Sequence, residues 1–242
     1  MARIFCLDPI AVKISPNLQQ KLKNPDTYNR VPGEMMSSYH KEQIDALMLV
    51  KAQLDALPDT ERLALEDSTA DYLAFRRQVD AFLSANFSRV CTENCYQSRL
   101  SACCSREGII TFFSDVVVNV MFSEGSEFEN MLTVLENPNQ GFKCVYLTER
   151  GCLWRIKPIV CQMFLCDRAK ELVFGEDYRL QTEWELLEQK RKRFTWPDRP
   201  VLFDAIESYF IKRGCRSPLM YLHNSPGLLR IKARNRQHYG LA

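Results

Sequence analysis

From Ser38 onward apolar positions recur at three- and four-residue steps: Ile44, Leu47, Val50, Leu54 and Leu57 form one stripe, the period of a helix with a single buried face. Pro58 ends that run. A second stripe, Tyr72, Phe75, Val79, Phe82, Leu83 and Phe87, predicts another helix starting near Ser68, whose hydroxyl is placed to cap the free amides. The two helices are expected to pair antiparallel, with the aromatic stripe as core. Before Ser38, the prolines Pro9, Pro16, Pro25 and Pro32 punctuate a stretch of little periodicity, read as an extended arm that carries Cys6 as a buried thiol.

Further along, Gly108–Phe113 suits a short strand, and Ser114 with Asp115 opens a helix through Val116–Phe122 that Gly125 interrupts. Ser126 with Glu129 has the spacing of a capping box for a helix to about Glu136, so the acids Glu124, Glu127 and Glu129 mark a helix start and not a catalytic pair. Asn137–Gly141 is turn chemistry, and Phe142–Ile156 suits a hairpin whose turn at Thr148–Gly151 uses Gly151 for a positive φ. Ile159–Leu165 begins a helix, and helical spacing returns at Leu180, Trp184 and Leu187, then at Val201, Ala205, Tyr209 and Phe210 until Gly214. Ser225-Pro226 reads as the cap and first turn of a last helix.

The expected fold class is therefore mainly α (α+β): a helical domain with a small β-hairpin and a cysteine-cluster metal site. Residues 1–88 are the arm and helical pair, 89–168 the cysteine-cluster region and 169–242 a C-terminal helical region, together one compact domain.

Composition changes this picture little. No run of 18 to 20 apolar residues is present, so no membrane contact is expected. The start, MARIFCLDPIAVKIS, makes a poor signal peptide because Asp8 and Pro9 break its apolar stretch, which points to the cytoplasm. Net charge is +2, but from Lys190 onward 12 Lys and Arg face only Asp198, Asp204 and Glu207, a local +9 that leaves the preceding residues at −7. Such asymmetry can mark an anionic partner.

The cysteines change it more. Eight of the ten fall in the 76 residues from Cys91 to Cys166, as Cys91-x3-Cys95-x7-Cys103-Cys104 and Cys144-x7-Cys152-x8-Cys161-x4-Cys166. In a reducing compartment thiols serve metal or redox chemistry more often than structural disulfides. Four thiolates converging on one point hold zinc or an iron–sulfur cluster, and all eight are candidate ligands. On a continued helix Cys91 and Cys95 share one face. Cys103 and Cys104 are neighbours whose side chains diverge, so one serves one centre while the other serves a second or packs inside; two sites of four and one site of four are both open. Cys166 is the weakest candidate, since on one helix it points about 140° from Cys161. His40, His223 and His238 lie outside the window.

These residues, with Cys144-Val145-Tyr146-Leu147, Cys152-Leu153-Trp154 and Lys157-Pro158-Ile159-Val160-Cys161, resemble the YkgJ-type cysteine-cluster family, named for a CxxCxxCC signature and described as zinc- or iron-chelating. Order and approximate spacings agree across the window. The first spacing is x3, the gap before the double cysteine is x7, Lys157 and Gln162 replace the family's arginines, and Cys166 lies beyond its pattern. The resemblance implies chelation and, through members similar to flagellin lysine N-methylases, protein methylation. The chain has no G-x-G-x-x-G loop and no C-x3-C-x2-C run.

Lys190-Arg191-Lys192-Arg193 with Phe194 and Trp196 combines charge and aromatics, as does a nucleic-acid surface, but reads first as a solvated helix end. Arg230, Lys232, Arg234 and Arg236 spread around a helix and form no stripe. The functional expectation is a metal-binding protein holding an iron–sulfur cluster or zinc, with a redox, sensing or protein-modifying role. The alternatives are a structural zinc module meeting a protein partner or, as the weaker option, nucleic acid through its basic C-terminal region, and a lysine N-methylase-like enzyme. No catalytic residue is assigned.

Overall fold

The structure, a computed structural model, describes residues 38–104, 111–138, 143–195 and 201–220. Its elements in chain order are helices α1 (Ser38–Asp55), α2 (Asp59–Ser68) and α3 (Ala70–Phe87), a π-helical continuation (Ser88–Gln97), α4 (Phe113–Phe122), α5 (Gly125–Glu136), strands β1 (Leu147–Thr148) and β2 (Gly151–Cys152), and helices α6 (Ile159–Gln162), α7 (Asp167–Phe174), α8 (Tyr178–Thr195) and α9 (Leu202–Lys212). The fold is mainly helical with one small antiparallel hairpin. Among the described residues no helix is long and apolar enough to cross a membrane.

The middle of the core is α4. Every residue from Phe113 to Met121 is buried, as a helix apolar on nearly all sides must be. α1 lies across it and also packs on α5, while α9 meets α4 on another side. This corrects the expected α1–α3 pair: the chief partners of α1 are α4 and α5. α3 instead packs against α2, α7 and α8, burying Tyr72, Phe75, Val79, Phe82 and Phe87, and α9 also contacts α8. The buried side chains form one hydrophobic cluster from Ile44 to Met220.

The helix ends show where local chemistry differs from expectation. α2 was not anticipated; only Leu65 of its ten residues is buried, so it leaves almost no apolar period. Ser68 does not cap α3, because its hydroxyl donates to the Leu65 carbonyl at 2.6 Å and closes α2 instead. The first turn of α5 begins two residues earlier than the expected capping box, with the Glu127 carboxylate accepting the Glu124 N–H at 2.8 Å. Gly214 stops α9 at φ +84°, a conformation that suits glycine. Phe113 opens a helix and Thr111–Phe112 are not strand, so no part of the expected Gly108–Phe113 strand is seen; residues 105–110 lie outside the described residues. So do the N-terminal arm with Cys6, part of the Asn137–Gly141 turn, and the last helix at Ser225.

Candidate metal centre

The thiols sit where α3 stops being an α-helix. From Ser88 the chain widens to π-helical winding, which is uncommon beyond a single turn and tends to occur at functional sites. Cys91 and Cys95 lie on this segment, both half-buried. The chain then doubles back through two non-glycine residues with positive φ, Arg99 (62°) and Ser101 (39°). Such conformations carry strain of order 1 kcal/mol or more each. They let the amides of Leu100 and Ser101 both donate to the Cys95 carbonyl, at 2.9 and 3.0 Å, while Ala102 N–H points at Cys95 Sγ at 3.4 Å. The tight return delivers Cys103 and Cys104 beside the π-helix.

The hairpin is fastened to that return. Cys144 N–H donates to the Cys104 carbonyl at 3.0 Å, the Lys143 ammonium donates to the Leu100 and Ser101 carbonyls, and Tyr96 Oη donates to the Thr148 carbonyl at 3.1 Å. The paired part is only two residues per strand, shorter than expected, with Leu147 opposite Cys152, Thr148 opposite Gly151, and Gly151 at φ +108°. Leu147 N–H donates to the Cys144 carbonyl at 3.0 Å, and the nearby main-chain N–H groups of Tyr146 and Leu147 at Cys144 and of Trp154 at Cys152 work against the upward shift that burial gives these thiols.

The segment after the hairpin is gripped from two sides. From α4, Asn119 Oδ1 accepts Ile156 N–H at 2.9 Å, and Asp115 Oδ1 accepts Ile159 N–H at 3.0 Å. From α3, the buried Arg76 donates Nε–H to the Gln162 side chain and one terminal N–H to the Lys157 carbonyl, with another on Tyr72 Oη at 2.7 Å. Gln162 passes the contact on to Asp80. The clamp fixes the one-turn helix α6 and with it Cys161. The expected helix to Leu165 ends at Gln162, so Cys161 and Cys166 do not share a helix, and the 140° argument against Cys166 fails. Cys166 instead occupies the N-cap position of α7, which packs on the π-helix and α3.

The thiols form overlapping electrostatic neighbourhoods, since Cys103 is a neighbour of Cys91, of Cys104 and of Cys161. Cys91 has Cys103, Cys166 and Cys95 as its electrostatic neighbours. Cys104 has Cys144, Cys152 and Cys161. Cys103 donates a hydrogen bond to Cys104, which raises its own pKa far above the usual thiol range and lowers that of Cys104. Burial is the main cause of the other shifts: Cys91 and Cys161 are each pushed up to about 11, Cys144 to about 12, and Cys152 is also raised. The Lys157 ammonium works the other way on Cys103, Cys152 and Cys161. These are neighbourhoods and not assembled coordination spheres: among the described residues, no group of three or more His, Cys, Asp or Glu side chains is placed to hold a metal ion. No disulfide joins the described cysteines to one another. Cys215 is buried.

No known family's model, no curated protein and no solved structure matches this chain.

The donor set itself suits thiophilic metal. Thiolates are the ligands that a tetrahedral zinc site or a four-cysteine cluster takes, so the residues fit such a group in type, although no three of them are brought together in this structure. The other candidates fare differently. His40 is buried beside Tyr39, while His223 and His238 lie outside the described residues. Lys190–Arg193 end α8, where Lys190 donates to Gln78 at 2.6 Å and Phe194 stacks on Phe75. The aromatic of that run is thus core, as a helix end requires; Trp196 and the basic tail lie outside the described residues.

Reading the sequence alone missed Arg76, Asp115 and Asn119 as supports of the site. Arg76 did leave a signal, since it shares the buried face of Tyr72 and Val79 at helical spacing.

Asp115 gives a pH prediction. Burial raises its pKa to about 6 from 3.8, outweighing Arg76 and the N–H groups of Ile159 and Phe112. The folded state therefore keeps a proton that the unfolded chain releases. The stabilisation is complete below about pH 4 and is lost as pH rises through 6, a change of about 3 kcal/mol at most. In urea titrations at pH 4 to 7, the stability deficit of Asp115→Asn should be largest at pH 4 and shrink toward pH 6. A deficit independent of pH would show that the carboxyl does not titrate in this window.

Proposed function

We propose that this chain is a metal-binding protein whose clustered cysteines, Cys91, Cys95, Cys103, Cys104, Cys144, Cys152, Cys161 and Cys166, hold zinc or an iron–sulfur cluster. The observation that carries the reading is that thiols from the π-helix, the strained return, the hairpin and the starts of two helices are electrostatic neighbours of one another, with Ala102 N–H pointing at Cys95 Sγ at 3.4 Å. The resemblance to the YkgJ-type cysteine-cluster family across Cys91–Cys161 supports the same reading. Zinc in this place ties the hairpin to the helices; a cluster adds one-electron chemistry.

Binding must displace protons. Thiols whose pKa values stand near 11 and 12 are neutral at pH 7, so metal affinity should rise with pH and loading should release acid. The deciding experiment is metal and sulfide analysis of the full chain purified without oxygen. Brown protein that bleaches with dithionite identifies a cluster, and colourless protein with stoichiometric zinc identifies a zinc site. Protein that carries no metal as isolated, and takes up none from zinc(II) or from iron with sulfide, refutes the proposal.

A further inference from the structure

Helices α7 and α8 pack against each other and form between them a cleft of about 370 Å³ that no cysteine lines. Lys170, Glu171 and Phe174 recur at three- and four-residue steps on α7, and Gln181, Trp184, Glu185 and Glu188 do so on α8, so one face of each helix supplies a wall. Phe174 and Trp184 give the cleft its aromatic part. Both rings are held by α3: Phe174 meets Phe87 edge-on with centroids 5.5 Å apart, and Trp184 stacks on Phe82, also at 5.5 Å.

The rest of the lining is acidic, three carboxylates against the ammonium of Lys170. Among the described residues, none of Glu171, Glu185 and Glu188 is in an ion pair. Glu185 accepts the Gln181 side-chain N–H at 2.9 Å. A second and independent observation is Trp184 itself. It is 2% exposed, yet its indole N–H has no acceptor among the described residues. Folded proteins rarely leave a buried donor in that condition.

We infer that this cleft binds an arginine residue of a peptide, its guanidinium taken by Glu171, Glu185 and Glu188 and its peptide carbonyl accepting the Trp184 indole N–H. A bare cation satisfies the carboxylates and leaves the indole unpaired, and a neutral amide does the reverse; an arginyl residue carries both groups. Guanidinium suits these walls better than ammonium, because its planar fork pairs with carboxylates and lies flat on aromatic rings.

Nuclear magnetic resonance of isotope-labelled full-length protein tests this, with N-acetyl-arginine amide as the probe. The readout is the indole N–H resonance of Trp184, assigned from Trp184→Phe. It should move to higher frequency, as an N–H gaining an acceptor does, and saturate, while the resonances of the other tryptophans stay in place. N-acetyl-citrulline amide, of the same shape without the charge, should bind about fivefold more weakly, and Glu171→Gln/Glu188→Gln should weaken the arginine probe by about as much. Lys170→Gln, which removes the competing cation, should strengthen it, a gain that unfolding cannot mimic. No saturating shift by about 10 mM arginine probe, or equal affinity for the citrulline analogue, overturns the inference. Either failure leaves the metal-binding reading standing, since no thiol takes part.

Discussion

Replacing Arg76 with methionine should destabilise the protein by about 3–5 kcal/mol, the range seen when one member of a buried charged network is removed. The side chain is 5% exposed, and its guanidinium donates to Gln162, Tyr72 and the Lys157 carbonyl. Methionine fills much of the volume but leaves those acceptors without donors, and each buried polar group so orphaned costs about 1–3 kcal/mol. Asp115 also loses the cation that holds its pKa down. Arg76→Lys keeps the charge without the planar fork and should fall between wild type and methionine. Urea unfolding monitored by far-ultraviolet circular dichroism measures this; a loss under 1 kcal/mol for Arg76→Met would mean the contacts are replaced by water. Because the same guanidinium grips the segment leading to Cys161, the metal-binding proposal adds the expectation that the variant takes up metal more weakly.

Phe75→Ala is the second large effect, about 3–5 kcal/mol. Phe75 is fully buried and stacks on Phe194 with ring centroids 5.3 Å apart, against Tyr72 at 6.5 Å. Truncation leaves a cavity between α3 and the last turn of α8, walled by rings too rigid to collapse into it. The cost should appear in the same urea titration, and the basic turn Lys190–Arg193 should become more accessible to trypsin before global unfolding. A small change in stability would show that Phe194 does not anchor that turn.

The long helices were legible because each buries one broad stripe. Tyr72, Phe75, Val79 and Phe82 mark α3; α9 was read from Val201, Ala205, Tyr209 and Phe210, although its buried apolar face is Phe203, Ile206 and Phe210 and Ala205 is exposed. α2 and α7 were not, since they bury only Leu65 in one case and Ala169 with Val173 in the other. Nor does periodicity reveal the π-helix, in which no residue is buried. At the candidate site the eight cysteines stood out by number and spacing, but their grouping did not. The spacing left open whether Cys103 and Cys104 serve one centre or two and ranked Cys166 last by its angle on a helix shared with Cys161. The positive-φ turn at Arg99 and Ser101 and the break after Gln162 redirect the chain within a few residues, and the helix that the angle assumed is absent. The clamp of Arg76, Asp115 and Asn119 is a tertiary arrangement of ordinary helix residues, and Arg76 differs from its exposed neighbour Arg77 only in facing inward.

The spread of the eight clustered thiols along the chain bears on how the protein is made. A ribosome releases Cys91, Cys95, Cys103 and Cys104 well before Cys144 to Cys166. The set of eight is not complete until Cys161 and Cys166 have emerged, although the segments of α1 and α3–α5 are by then already free to fold. For that interval the nascent polypeptide carries exposed sulfhydryls on a folding scaffold, so oxidation during translation is the hazard this topology creates.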